Sequence, residues 1–253
     1  MLWYLGESGP PDESNPYDAP VLSVVSGYVR TIDTTQLLSV AKANRLTVRV
    51  LRRVGHFVPA GVPLLTISKA KRLTPELSDD LRRAFRFGPT RTLEQNIEFG
   101  ILQIVDIALK AISPAVNDPS TAISCVDQLR SILIRFAAQE ESRTRLYDPP
   151  GTLRVSIPYV GFDRLIESAF EQIRSYAKTD VAVSLRLMRA FTDIALTLPD
   201  GPDRRLLTSH GRRLLAGFSE SPGEDVLKEM RRQLTTLETV VMAEAPTLTE
   251  RKT

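Results

Sequence analysis

Seven side chains between residues 91 and 121 are of the types that hold a small polar ligand or a hard cation: Arg91, Glu94, Glu98, Asp106, Asn117, Asp118 and Thr121. Carboxylate, amide and hydroxyl oxygens are the ligands that Mg²⁺-like ions take, and an arginine adds a forked donor for carboxylate or phosphate. Glu94 and Glu98 are spaced i,i+4 in what reads as one helix, so their like charges face each other at a small cost unless a cation such as Arg91 intervenes. Asp106 stands in the apolar run Ile104-Val105-Asp106-Ile107-Ala108, which predicts partial burial and a need for a partner. Lys110 is the local candidate, with Asn117 or Thr121 across the turn. Asn117-Asp118 precedes Pro119 at a helix start, where backbone N–H groups attract anions. Two readings follow. In one, the seven residues line a single polar pocket for a small ligand. In the other, Asp118 is a helix cap, Asp106–Lys110 is an ion pair and the two glutamates are solvated.

Other chemistries leave no local signature. His56 and His210 are the only histidines, and no His-x-x-x-His pair offers zinc-ligand spacing. Neither a Gly-x-Ser-x-Gly elbow nor a phosphate-cradling glycine loop is present. Cys125 is the single cysteine. It excludes an internal disulfide, fits a reducing compartment, and falls on an apolar helix face where a small core residue is expected. No metal site or resident cofactor is expected.

The elements that must position the seven residues are helical. Thr74-Pro75 reads as a cap followed by proline at the first helical position, opening a helix to about Phe87. Residues 92–112 read as one long amphipathic helix with Ile97, Ile101, Ile104, Ala108 and Ile112 on its apolar face. Ser113-Pro114-Ala115-Val116-Asn117-Asp118-Pro119 breaks it, and the next helix buries Ala122, Cys125, Leu129, Ile132, Leu133 and Phe136. Residues 140–151 read as a polar loop and Thr152–Pro158 as a lone strand. Helices follow at 162–177, 180–198, 203–217 and 222–243, the last opened by the capping box Ser221-Pro222-Gly223-Glu224.

Before them, the chain is β-rich. Strands are expected at Val21-Leu22-Ser23-Val24-Val25, at Tyr28-Val29-Arg30-Thr31-Ile32 and, by alternation, at residues 46–52. A short helix over 34–44 sits between the last two, and Gly55 with Pro59-Ala60-Gly61 punctuates a hairpin into residues 62–67. The phrase running from Gly55 to Leu64 is similar to half of a biotinyl- or lipoyl-type module, but no lysine stands at the turn to carry a cofactor, so the likeness speaks to fold alone. The fold class is therefore α+β: an extended or disordered lead-in over 1–20, a small β barrel- or sandwich-like module over 21–72, a mainly helical domain over 73–245 with one short strand near 152–157, and a disordered tail over 246–253.

Apolar residues make up 42% and charged residues 25% of the chain, an ordinary globular balance. Four of the seventeen prolines lie in the first twenty residues, which also hold Trp3. That lead-in carries four acids and no Lys or Arg, so the whole-chain charge of +3 leaves +7 on the remainder. The excess is mostly arginine, in adjacent pairs such as Arg82-Arg83, Arg204-Arg205, Arg212-Arg213 and Arg231-Arg232. Binding of phosphate-rich partners is one reading of these pairs; nucleic acid is not expected. A membrane span needs about 18 or more consecutive apolar residues, and the best stretch, 97–112, is interrupted by Glu98, Gln103, Asp106 and Lys110. It reads as a core helix.

The run from Arg91 to Ala122, together with Ser26-Gly27-Tyr28-Val29-Arg30-Thr31-Ile32-Asp33, Gly55-His56-Phe57-Val58 and Leu153-Arg154-Val155, resembles the signature of a bacterial family of predicted membrane proteins, catalogued as domain of unknown function twenty-two fifty-four. The likeness covers about residues 21–177. It departs at Asn96, Leu102 and Ala115, where the family has Asp, Arg and Gly. The resemblance implies the soluble, cytoplasmic part of such a protein, peripheral to the inner membrane and acting as a non-enzymatic binding or regulatory module. It also implies self-association and an association with a membrane-protein partner or a membrane surface; the small ligand is not specified. The alternative is a metal-dependent enzyme using the carboxylates of Glu94, Glu98, Asp106 and Asp118.

Overall fold

The computed structural model describes residues 17–138, 144–149, 151–217 and 223–243. The expected disordered lead-in up to residue 16, the tail over 246–253, and Ser221 and Pro222 of the predicted capping box lie outside them. The chain divides into two compact units, the first comprising Met1–Asn96 and Glu141–Tyr159, the second Ile97–Glu140 and Val160–Thr253. The fold is α+β, with two sheets and eight α-helices among the described residues.

In the first unit the strands are β1 (Tyr17–Leu22), β2 (Gly27–Ile32), β3 (Val48–Val50), β4 (Phe57–Val58), β5 (Pro63–Ser68), β6 (Phe85–Gly88), β7 (Arg145–Asp148) and β8 (Thr152–Ser156), with helices α1 (Thr34–Ala43) and α2 (Pro75–Arg82) between them. One sheet runs β1-β5-β3-β8-β7 and the other β4-β2-β6, and no closed barrel forms. The predicted hairpin around Gly61 is not one. Its arms join different sheets, β4 pairing with β2 and β5 with β1 and β3, because the Gly61 amide (φ +83°) turns to donate to Ser23 O at 2.7 Å. Helix α1 is capped by Asp33, whose side chain accepts from the Gln36 amide at 2.9 Å, and it stops at Asn44.

Three strands depart from the sequence reading. β1 begins at Tyr17, inside the expected lead-in, and stops before Val24 and Val25. The helix expected to reach Phe87 ends at Arg82, because Phe85 and Phe87 pair along β2 instead. The lone strand at 152–158 is half of a hairpin whose other arm, β7, lies in the expected loop. That hairpin returns to the first unit and adds β8 in parallel to β3. A solitary strand would leave its N–H and C=O groups unpaired, and Val155 has its side chain fully buried with Val48, Leu65 and Ile67. Burying each such side chain stabilises by roughly 1.5–3 kcal/mol.

The second unit holds α3 (Ile97–Ala111), α4 (Pro119–Ala137), α5 (Phe162–Tyr176), α6 (Val181–Thr197), α7 (Pro202–Ala216) and α8 (Glu224–Met242). Its core follows the 3.6-residue periodicity: Ile101, Val105 and Ala108 of α3, Ala122, Val126, Leu129 and Leu133 of α4, and Phe170 of α5 against Phe191 of α6, their rings edge to face at 5.3 Å. Cys125 is buried there, which pushes its thiol pKa up. α7 meets α8 closely at Gly211, where a β-carbon would lie 2.9 Å from Leu237 Cδ2.

Candidate functional site

The seven predicted residues divide between the units. Arg91 and Glu94 belong to the first; Glu98, Asp106, Asn117, Asp118 and Thr121 belong to the second. α3 starts at Ile97 rather than at Thr92, so Glu94 and Glu98 do not share a helix turn. The reason is local: Gln95 takes φ +52°, a left-handed conformation that interrupts helical hydrogen bonding. The Gln95 side-chain oxygen accepts from the Ile32 amide at 3.2 Å. Glu94 is exposed.

Asn96 is buried. It and Arg91 close over Gly55 (φ +87°), where a β-carbon would collide with the Asn96 amide nitrogen and stand 3.1 Å from Arg91 Nη2. Gly55 in turn donates to Val29 O at 2.8 Å, and Val29 N donates to His56 O at 2.9 Å. The sequence stretches around 26–33, 55–58 and 91–96 thus meet in one place. None of the joining residues except Arg91 is on the sequence-derived list; the signal for them was the glycine, whose positive φ admits a close approach that no side chain would allow.

In the second unit Glu98 forms an ion pair with Arg164 of α5 at 3.0 Å. Asp106 is exposed, contrary to the partial burial expected from its apolar neighbours, because it points away from the buried face set by Ile101, Val105 and Ala108. Lys110 is exposed too, and among the described residues it forms no ion pair with Asp106. Asn117 is exposed and adopts φ +50° in the elbow between α3 and α4. The elbow is closed by Asp118 N donating to Ala111 O at 2.8 Å. Asp118 caps α4: its Oδ1 accepts from Thr121 N at 3.1 Å and its Oδ2 from Thr121 Oγ1 at 2.5 Å. The Thr121 hydroxyl, then its backbone amide, hold the Asp118 carboxyl below its usual pKa. Asp118 and Thr121 are therefore brought together, in the geometry of a cap. Among the described residues no three His, Cys, Asp or Glu gather closely enough to hold a metal ion.

Two features were not visible as sites in the sequence. In the first unit a pocket of about 290 Å³ is lined by Val24, Val25, Arg82, Arg83 and Phe87; Val24 is 67% exposed and Val25 45%. In the second, His210 of α7 is fully buried, 5.8 Å from the Phe191 ring, and neither ring nitrogen has a hydrogen-bond partner among the described residues. Burial, and then the Arg213 charge, push its pKa down to about 4.

No helix among the described residues is long and apolar enough to cross a membrane. The family described as "Predicted membrane protein (DUF2254)" matches residues 6–193. Uncharacterised proteins of Mycobacterium bovis and of two strains of Mycobacterium tuberculosis are each 37% identical over 202 residues, covering 76% of this chain and 38% of theirs. The matched stretch thus spans well under half the length of those relatives. No solved structure matches the chain.

Proposed function

Because the chain belongs to this family of predicted membrane proteins, we propose that it is a non-enzymatic binding or regulatory module that works at the cytoplasmic face of the inner membrane, resting on the membrane surface. The observation that carries the reading is the family match over residues 6–193 joined to the lack, among the described residues, of any helix able to span a bilayer. Support comes from the first unit, where exposed Val24 and Val25 share a pocket with Arg82 and Arg83. Apolar tips beside cations suit an interface with anionic lipid. Each arginine reaches an acid of its own helix, Asp79 at 2.6 Å and Asp80 at 2.7 Å. The electrostatic part of the attraction is therefore partly offset, and binding leans on the valines.

Flotation of the whole chain with phosphatidylglycerol-containing vesicles tests this. The chain is expected to float with them, and the double variant V24D/V25D to stay at the bottom of the gradient. Flotation that ignores the double substitution, or no flotation of the parent chain, refutes the surface reading. A chain that instead sediments only with membranes containing a particular protein points to a membrane-protein partner. The reading also has the chain self-associate; light scattering that returns the 28.2 kDa mass of one copy at every concentration removes that part. The enzymatic alternative draws no support from the carboxylates: Glu98 is engaged with Arg164, Asp118 with Thr121, and Asp106 faces outward.

A further inference from the structure

The faces of α7 and α8 enclose a second pocket, of about 350 Å³. On α7 the residues that reach it are Arg205, Thr208, Ser209, Arg212 and Arg213, spaced i, i+3, i+4, i+7 and i+8, which is one face of a helix. On α8 they are Glu238, Val241 and Met242, again one turn. The volume lies at the small end of the range for ligand sites. One end is cationic and the other apolar. Arg212 is paired with Glu238 at 2.8 Å, which cancels one charge. Arg213 reaches Glu171 only at 3.7 Å, and Arg205 forms no ion pair among the described residues.

The hydroxyl of Thr208 is the independent sign of a ligand. Thr192, Thr235, Thr236 and Thr239 each donate to the carbonyl one helical turn back, at 2.8–3.1 Å, the usual way for a helical threonine to satisfy itself. Thr208 does not. Its side chain is more than nine-tenths buried, lines the pocket, and its Oγ1 has no partner among the described residues. Where it stands the hydroxyl is enclosed and unpaired, an unfavourable state, and rotation about χ1 toward the pocket would let a bound acceptor satisfy it. At the other end Met242 is 85% exposed beside Val241, an apolar wall that a hydrocarbon chain would cover.

We infer that the α7–α8 pocket binds a short anionic amphiphile, its carboxylate or phosphate head held by Arg205, Arg213 and the Thr208 and Ser209 hydroxyls and its alkyl chain laid on Val241 and Met242. An arginine offers the head paired N–H donors, and the hydroxyls donate to its remaining oxygens. The inference stands apart from the membrane-surface reading, because the pocket belongs to the helical unit and a soluble molecule can fill it.

Calorimetric titration of the whole chain with octyl phosphate, octanoate and methyl phosphate, all below their aggregation concentrations, tests it. Octyl phosphate or octanoate is expected to bind, and methyl phosphate to bind more weakly by about tenfold or more, since several buried methylenes are lost. Arg205→Gln, at an exposed position, should weaken the octyl ligand by roughly ten- to hundredfold, the worth of a charge-assisted hydrogen bond. Thr208→Val should weaken it by about fivefold. Met242→Ser should narrow the gap between octyl and methyl phosphate. Affinity unchanged in R205Q, or equal for octyl and methyl phosphate, overturns the inference, as does absence of any heat from a chain with intact helical circular dichroism. The V24D/V25D chain should bind the octyl ligand normally, which separates this site from the membrane surface. Vesicles distinguish the source: a lipid headgroup if R205Q loses binding to phosphatidylglycerol vesicles, a free acid or phosphate monoester if only the soluble ligands respond.

Discussion

Replacing His210 should remove acid sensitivity from the helical unit. His210 is fully enclosed, with Phe191 of α6 against its ring and Glu171 and Arg174 of α5 and Arg213 of α7 acting on its charge. Its pKa falls from the ordinary 6.5 to about 4. The unfolded chain therefore takes up a proton at this imidazole as pH drops through 6.5, while the folded chain resists until about pH 4. The stability tied to the neutral ring is fully present above the unfolded pKa and is lost as pH falls toward the folded one. With those two values the loss at about pH 5 is roughly 2 kcal/mol, approaching about 3 kcal/mol at the folded pKa. The assay is urea unfolding followed by helical circular dichroism at about pH 7.5 and about pH 5, on the parent chain and on His210→Leu. Asp118, Asp148 and Glu229 also have lowered pKa values, so their contribution fades only at still lower pH and leaves this window largely to histidine. H210L should lose about 2 kcal/mol less than the parent between the two pH values, and at the higher one it should be no weaker, having shed an unpaired polar ring. An identical pH slope in parent and variant refutes the reasoning. Should H210L fail to fold, His210→Gln carries the same comparison.

Other substitutions read single features. Gly55→Ala forces a methyl into the Asn96 amide at a positive φ and should destabilise the first unit by about 1–3 kcal/mol, seen as earlier thermal loss of the sheet signal with the helical transition unmoved. Asp118→Ala should lower the melting temperature by uncapping α4 whereas Asp118→Asn should hold close to the parent, because asparagine accepts the same N–H; equal loss in both would point to a role for the charge beyond capping. The network joining α4 to α6 pairs Asp127 with Arg186 through Nε at 2.6 Å and through Nη2, and Asp193 with Arg130 at 2.5 Å. A double-mutant cycle on Asp127 and Arg186 should return a coupling of about 1 kcal/mol, shrinking in high salt, as expected of partly exposed pairs; zero coupling would leave the bidentate contact without energetic weight.

Apart from the start of α3, the helical unit was legible nearly to the residue, because one buried face per helix writes itself as a 3.6-residue period and the stops carry caps or prolines. α5 to α8 each end within a residue or two of the sequence reading, which is the ordinary uncertainty of a helix end. The β unit was harder. β3 and β8 are separated by about a hundred residues yet lie side by side, and alternation says that a strand is half-buried without saying which strand lies beside it. β6 was lost inside a helical reading because Leu81-Arg82-Arg83-Ala84-Phe85 keeps apolar residues at helical spacing, and only the pairing of Phe85 and Phe87 with β2 reverses that. The arms of the Gly61 turn could not be told from a hairpin, since both outcomes need the same glycine.

Asp106 departs from its expected partial burial for a different reason. Composition can say that Asp106 is surrounded by apolar letters, but burial depends on angle about the helix axis, and the face defined by Ile101, Val105 and Ala108 turns Asp106 to solvent. Gln95 and Asn117, at positive φ, are where helical extrapolation stops on each side of α3, and they decide where Glu94 and Asp118 point. Thr208 and His210, two of the residues with buried polar atoms that lack a hydrogen-bond partner among the described residues, lie on α7, beyond the stretch of 6–193 that carries the family likeness. A family stretch therefore accounts for the β unit and the first helices, while the proposed amphiphile pocket depends on helices outside it.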